Sequence, residues 1–235
     1  CIFLKQISDA DKLRRAVGNC FERANLPALD ADAKRAALSF VIVGAGPTGV
    51  EFCGELRDFI DDEVPKFYPG LLQYVSITLL EATDKVLAAF DAELQAVALA
   101  ALSSDDGRDD AREGRPLTTV RLGSAVAEVT ATSVLFKDGE TLPYGLCVWA
   151  GGNGPLPVVL DMIDRVPAQR SLQESTGARG RVVVDDWLRV RGTDGVHALG
   201  DCAFAPSRPL PPTAQVAAQQ GEFLAWLLER GYGDA

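Results

Sequence analysis

"ALSFVIVGAGPTGVEFCGEL", residues 37–56, carries an apolar run into three glycines and out again into a helical pattern. The segment "SFVIV" at 39–43 is apolar after its serine, as a parallel strand covered on both faces requires. Gly44-Ala45-Gly46-Pro47-Thr48-Gly49 then fits G-x-G-x-x-G. In that pattern the first glycine permits a tight turn, the second lets the backbone approach a pyrophosphate, and the third lets helix pack on strand. The helix that follows, amphipathic to about Asp61, points its positive dipole end at the same place. Strand, turn and helix together make this a dinucleotide-type turn rather than a glycine-rich loop.

Working outward, "VSITLLEA" at 75–82 reads as the second parallel strand and completes a βαβ unit. Glu81 closes it, placed to accept hydrogen bonds from ribose hydroxyls. Its distance from the turn exceeds the usual spacing of about 20 residues because the connection "DFIDDEVPKFYPGLLQY" is long. A carboxylate there repels a 2′-phosphate and so favours NADH over NADPH; the plainer reading is a solvated strand end. Upstream, "SDADKLRRAVGNCFERANLP" has helical spacing at Leu13, Val17, Cys20, Phe21 and Ala24, with Ser8 as N-cap and Pro27 as stop.

Downstream, "DAELQAVALAAL" reads as a helix and residues 103–116, "SSDDGRDDAREGRP", as a solvated charged loop. A calcium loop starting at Asp105 fails, because its twelfth position is Pro116 rather than Glu. Short strands fill 117–149, with a hairpin turn at Asp138-Gly139. "RVVVDDWLRV" and "GVHALGDCAF" add further short strands, and "PPTAQVAAQQGEFLAWLLERG" a terminal helix with Pro211 or Pro212 in its first turn and Gly231 at its end. Asp201 beside Gly200, at the end of an apolar segment, can bond sugar-like hydroxyls or can be a turn aspartate. Gln215 and Gln219 share a helix face, either to bond a carbonyl-bearing ligand or to meet solvent.

Composition narrows the classes. The 235 residues carry a net charge of -10, which argues against a nucleic-acid surface. Five scattered cysteines without a CxxC pair read as reduced thiols, with Cys202 buried and structural, and the single His197 disfavours His-based metal or triad chemistry. No apolar run reaches bilayer length.

Four segments, "FVIVGAGPTGVEFCGEL", "YGLCVWAGGNG", "DDWLRVRGTDGVHALGDCA" and "LPPTAQVAAQQG", together resemble the type II (alternative, rotenone-insensitive) NADH:quinone oxidoreductases of plants, algae and fungi. "FLKQISDADKLRRAVGNCFERANLP" is similar to the stretch preceding that family's second nucleotide site. The resemblance implies an α/β fold with two dinucleotide-binding domains, a Rossmann-like NADH domain inserted in an FAD domain. Residues 1–38 would lead from the FAD domain, 39–152 would bind NADH, and 153–235 would return to the FAD domain with a quinone-site helix. It further implies that Gly44, Gly46, Pro47, Thr48 and Gly49 cradle the NADH pyrophosphate, that Glu81 holds its ribose, and that Ala150 and Gly151 line the nicotinamide side. Glu51 matches a carboxylate near nicotinamide and flavin. Gly200 and Asp201 would meet FAD, Ala214 and Gln215 would approach the flavin ring, and Gln215 and Gln219 match the quinone-site glutamines. The implied activity is non-proton-pumping transfer from NADH through FAD to a membrane quinone.

The departures point to a fragment. The family's N-terminal FAD turn and its C-terminal membrane-docking region, which also supports dimers, have no counterpart in this sequence. The chain is therefore expected to bind NADH better than FAD. The resemblance implies peripheral attachment to the mitochondrial inner membrane, with the plastid as alternative, through regions outside it. The rivals are a disulfide reductase, which would need a redox-active Cys pair from an N-terminal part, a ferredoxin or sulfide:quinone reductase, which "TAQVAAQQ" disfavours, and a non-catalytic NADH-binding homologue.

Overall fold

The computed structural model describes residues 1–103, 116–152 and 154–232. The chain divides into two compact units, Cys1–Asn153 and Gly154–Ala235. The charged loop read over 103–116 lies outside the described residues from 104 to 115.

The first unit is built on a five-stranded parallel sheet. Its strands are β1 (Ile2–Phe3), β2 (Ser39–Val43), β3 (Ser76–Leu80), β4 (Thr118–Arg121) and, last in sequence, β8 (Leu146–Trp149), in the spatial order β1-β8-β2-β3-β4. Strand pleating sends alternate residues to opposite faces. Phe40 and Ile42 of β2, with Ile77, Leu79 and Val148, pack into one core that includes buried residues of α1 (Ile7–Ala24) and α3 (Pro47–Asp62). Val41, Val43, Leu80 and Cys147 point the other way, into a second core. There they meet Val134, Phe136 and Tyr144 from the antiparallel sheet β5 (Val126–Val129), β6 (Ser133–Phe136) and β7 (Thr141–Pro143). The continuous apolar run of β2 is thus explained: helices cover one face and a β-meander the other. Asp138-Gly139 makes the expected tight turn between β6 and β7, with Gly139 at φ +91°.

Residues 1–38 belong to this unit, because β1 pairs with β8 and α1 shares the helical-side core. The start of α1 differs from expectation. Ser8 is inside the helix; Gln6 is the N-cap, and the Asp9 carboxylate accepts from the Gln6 and Lys5 N–H groups. The carboxylate three positions into a helix reaches back to the cap, which a hydroxyl at position 8 cannot do. The shorter helices α2 (Ala31–Ala37) and α4 (Val64–Phe67) and the 12-residue α5 (Ala92–Ser103) complete the unit.

The second unit pairs β9 (Val182–Val183) with β10 (Ala203–Phe204) in parallel and carries helices α6 (Pro157–Arg165), α7 (Pro167–Thr176) and α8 (Ala214–Glu229). Two sequence expectations are corrected here. "GVHAL" makes only an isolated bridge between His197 and Arg189, because the chain turns at Gly200 instead of extending. Helix α8 begins after Pro211 and Pro212, with the Thr213 hydroxyl accepting from Val216 N–H as its cap. Its end is as expected. Gly231 at φ +72° lets its own N–H reach Leu228 C=O and the Tyr232 N–H reach Leu227 C=O, a Schellman closure.

Candidate functional site

The glycine turn sits between β2 and α3, and each glycine answers to a different contact. At Gly44, φ is +104° and a Cβ would fall 2.7 Å from Gly151 Cα. A Cβ on Gly49 would lie 1.8 Å from the Gly44 carbonyl oxygen, so helix and turn are in backbone contact there. At Gly46 a Cβ would meet nothing within 4 Å, which leaves the backbone open to a ligand. Gly46 is the N-cap of α3, Pro47 opens its first turn, and neither a capping side chain nor an acidic residue occupies that turn. The end of the helix is free to face an anion.

Glu81 follows β3 directly, and it is not a solvated strand end. Its Oε2 accepts from Ala45 N–H at 2.9 Å, while Oε1 accepts from Thr83 N–H at 2.9 Å and from the Thr83 hydroxyl at 3.0 Å. Burial pushes its pKa up, but the Thr83 and Ala45 hydrogen bonds prevail and hold the carboxyl below the usual range. The ionised group therefore braces the glycine turn 36 residues away.

Gly44, Gly46, Glu81, Ala150 and Gly151 line one cavity of about 410 Å³, together with Trp149 and Lys137. Such a volume lies in the range of ligand pockets. Its floor is held by the Ala150 N–H donating to Val43 C=O and the Gly44 N–H donating to Leu80 C=O, both at 2.8 Å. Thr48 and Glu51 line a separate groove of about 400 Å³ between α1 and α3, walled by Leu13, Val17 and Phe52. Those two residues are thus on the same helix as the turn but in a different depression.

In the second unit Gly200 (φ +70°) and Asp201 form a one-turn 3-10 helix, Gly200–Cys202, with the Asp201 side chain exposed. The Gly200 N–H donates to Gln220 Oε1 at 2.7 Å, and a Cβ on Gly200 would come 3.3 Å from Ala217 Cβ. Helix α8 is therefore keyed to the Asp201 turn by Gln220, a residue that sequence reasoning passed over for its neighbours. Ala214, Gln215 and Gln219 are exposed, and Gln219 lines a cavity of about 530 Å³ with Gln220, Asp185 and Phe223. The Cys202 thiol donates to Leu199 C=O at 3.2 Å. Burial pushes the Cys53 thiol up to about 12 and the Cys147 thiol up to about 11, so neither is a nucleophile at neutral pH.

A parallel sheet, a G-x-G-x-x-G turn at a strand–helix junction and a carboxylate after the next strand define a Rossmann-type dinucleotide-binding protein. The sequence profile described as pyridine nucleotide-disulphide oxidoreductase matches residues 1–221, and the chain belongs to that family. It is 41% identical over 212 residues to the external alternative NAD(P)H-ubiquinone oxidoreductase B3, mitochondrial, of Arabidopsis thaliana, an alignment covering 88% of this chain and 33% of that one. A probable mitochondrial NADH-ubiquinone oxidoreductase of Schizosaccharomyces pombe is 36% identical over 97% of this chain and 39% of its own length. Among solved structures, NDH2 from Plasmodium falciparum in complex with NADH superposes with a TM-score of 0.72 at 26% identity, covering 87% of this chain and 40% of that one. The chain thus spans about a third of the Arabidopsis relative's length.

Proposed function

We propose that this chain binds NADH in its first unit and forms part of a flavoprotein that passes two electrons from NADH to a quinone. The observation that carries the reading is the cavity in which the open backbone at Gly46 and the braced carboxylate of Glu81 face the same space. Gly44 and Gly46, with Pro47, Thr48 and Gly49 at the start of α3, would hold the pyrophosphate. Glu81 would accept from a ribose hydroxyl. Ala150 and Gly151 would line the nicotinamide side, and Glu51, from the neighbouring groove beside α1, would supply a carboxylate toward the reacting rings from the other side of the turn.

In the second unit the exposed Asp201 carboxylate would bond hydroxyls of FAD. That assignment is supported by the Gly200 turn, whose φ of +70° favours glycine and which packs close to Ala217 of α8. When bound, FAD supplies the two-electron chemistry; the protein's part is to bind, orient and exclude water. Ala214 and Gln215 would lie toward the flavin, and Gln215 and Gln219 would donate amide hydrogens to quinone carbonyls. Quinone over other acceptors is supported by the names of the relatives and by the paired glutamines of α8. Peripheral attachment to the mitochondrial inner membrane, as a dimer, completes the reading. The relatives are named mitochondrial, and no helix among the described residues is long and apolar enough to cross a membrane.

The test is a calorimetric titration of NADH into the chain, followed by anaerobic NADH oxidation with added FAD and a panel of quinone, ferredoxin and disulfide acceptors. One NADH site and quinone-dependent turnover are expected. Absence of NADH binding would remove the dinucleotide reading, and turnover with ferredoxin or disulfide but not quinone would replace the acceptor.

A further inference from the structure

Glu81 is a carboxylate without a cation. Among the described residues no Lys or Arg forms an ion pair with it, although Lys137 shares its cavity and Lys85 follows it on the same segment. Arg121, at the end of the adjacent strand β4, forks onto Glu140 at 2.8 and 2.6 Å instead. The other acid of the segment, Asp84, is exposed. The Glu81 charge is therefore held by hydrogen bonds alone, with burial working against it.

Among the described residues a single side chain donates to Glu81, and it is the Thr83 hydroxyl, 3.0 Å from Oε1. The Thr83 N–H reaches the same oxygen at 2.9 Å, so residue 83 holds Oε1 through two atoms while Oε2 accepts from Ala45 N–H at 2.9 Å. Thr83 is itself anchored. Its C=O accepts from Gly123 N–H at 2.7 Å, and its hydroxyl also lies 3.2 Å from Lys85 C=O. Ala45, in the glycine turn, is gripped at both peptide groups, because its C=O accepts from Leu87 N–H at 2.8 Å. The segment from 81 to 87 thus fastens onto the turn, and the Thr83 hydroxyl is the part of that fastening a substitution can remove.

We propose that Thr83 is a positioning residue of the nucleotide site, its hydroxyl holding the Glu81 carboxylate in the orientation, facing the glycine turn, in which it meets the adenosine ribose. The inference rests on the proposed dinucleotide function. An acceptor whose two oxygens are already engaged has little rotamer freedom left to lose when a ribose arrives. With the hydroxyl gone, Oε1 keeps backbone donors only. The carboxyl then turns more freely and takes up a proton more readily. Thr83 touches no ligand in this account; it acts through Glu81.

The experiment measures Kd by calorimetry for NADH, and for ADP-ribose as an acid-stable probe with the same adenosine ribose and pyrophosphate. The proteins are the 235-residue chain, Thr83→Val, Thr83→Ser, Glu81→Gln and the double variant Thr83→Val/Glu81→Gln. Thr83→Val, nearly isosteric at an exposed position, is expected to weaken both ligands about fivefold at neutral pH. Thr83→Ser should bind as the parent does. As pH falls, ADP-ribose binding should be lost at a higher pH in Thr83→Val than in the parent, because the ionised acceptor is protonated sooner. In the Glu81→Gln background the valine should cost nothing further, since the residue it acts through is already changed. A change below about twofold in Thr83→Val, an equal loss in Thr83→Ser, or an equal loss with and without Glu81 would overturn the assignment. So would a lowered melting temperature with unchanged Kd, which makes Thr83 structural only. Each of those results leaves the proposed function standing, whereas a parent that binds neither ligand removes both.

Discussion

Three glycines that read alike in the motif do different physical work. Gly49→Ala would drive a Cβ to 1.8 Å from Gly44 C=O, so the turn must open. Both thermal stability and NADH binding should fall, the latter by more than about tenfold if the turn shifts by about an ångström. Gly46→Ala should separate the two effects, because a Cβ there meets no protein atom within 4 Å and its φ is -74°. Its melting temperature should match the parent while NADH affinity drops; thermal melts and calorimetry on both variants check the pair. The motif and Glu81 were legible because each follows a strand whose apolar run is plain. That Glu81 braces Ala45, and that Lys137 lines the same cavity, could not be read. Both depend on contacts across long stretches of chain that no local pattern encodes.

At the level of elements, the strands of the first unit and the helix bearing the glutamines were readable from apolar periodicity, and the helix N-termini were not. Gln6 caps α1 in place of Ser8, and Thr213 caps α8 so that Pro211 and Pro212 fall before its first turn, because a cap is selected by which side chain or backbone group closes that turn. Helices α6 and α7 went unread in a stretch broken by Pro167, although Pro157 and Pro167 each sit in a first turn where proline is at home. What fixes α7 is hidden in its least obvious residue. Gln169 is 0% exposed; its Nε2 donates to Val183 C=O and Arg191 C=O, both at 2.8 Å, and its Oε1 accepts from Val183 N–H at 2.7 Å. The amide stands in for a neighbouring strand alongside β9. Gln169→Leu keeps the bulk but strands Val183 N–H and Arg191 C=O, since Val183 C=O keeps the Arg191 N–H, and should cost the second unit about 3 kcal/mol. Chemical denaturation with a probe in that unit measures it, and a loss below about 0.5 kcal/mol would show the amide to be dispensable.

Across the whole molecule, each unit contains a carboxylate held below its ordinary range. For Glu81, burial opposes the charge, and hydrogen bonds from Thr83 and Ala45 prevail. For Asp185, burial likewise opposes it, and the Arg189 N–H and guanidinium together with Trp187 N–H prevail. A carboxyl with a folded pKa below its unfolded one contributes stability that is present above the unfolded value and is lost as pH falls through the folded value. Melting temperature should thus hold as pH is lowered to about 4, the ordinary carboxylate range, and decline below it. Glu81→Gln and Asp185→Asn should flatten that decline; an acid limb unchanged in both would assign it to other groups.

The cavity of the first unit has a different kind of consequence. Its walls come from residues near 44, 81, 125, 137 and 150, so almost the entire unit must fold before the cavity exists. A nucleotide bound there at a hundred times its Kd would deepen the folded state by about 2.7 kcal/mol. If the proposed nucleotide binds there, its supply would also set how long the polypeptide survives proteolysis, because the ligand-free unit is the less stable one.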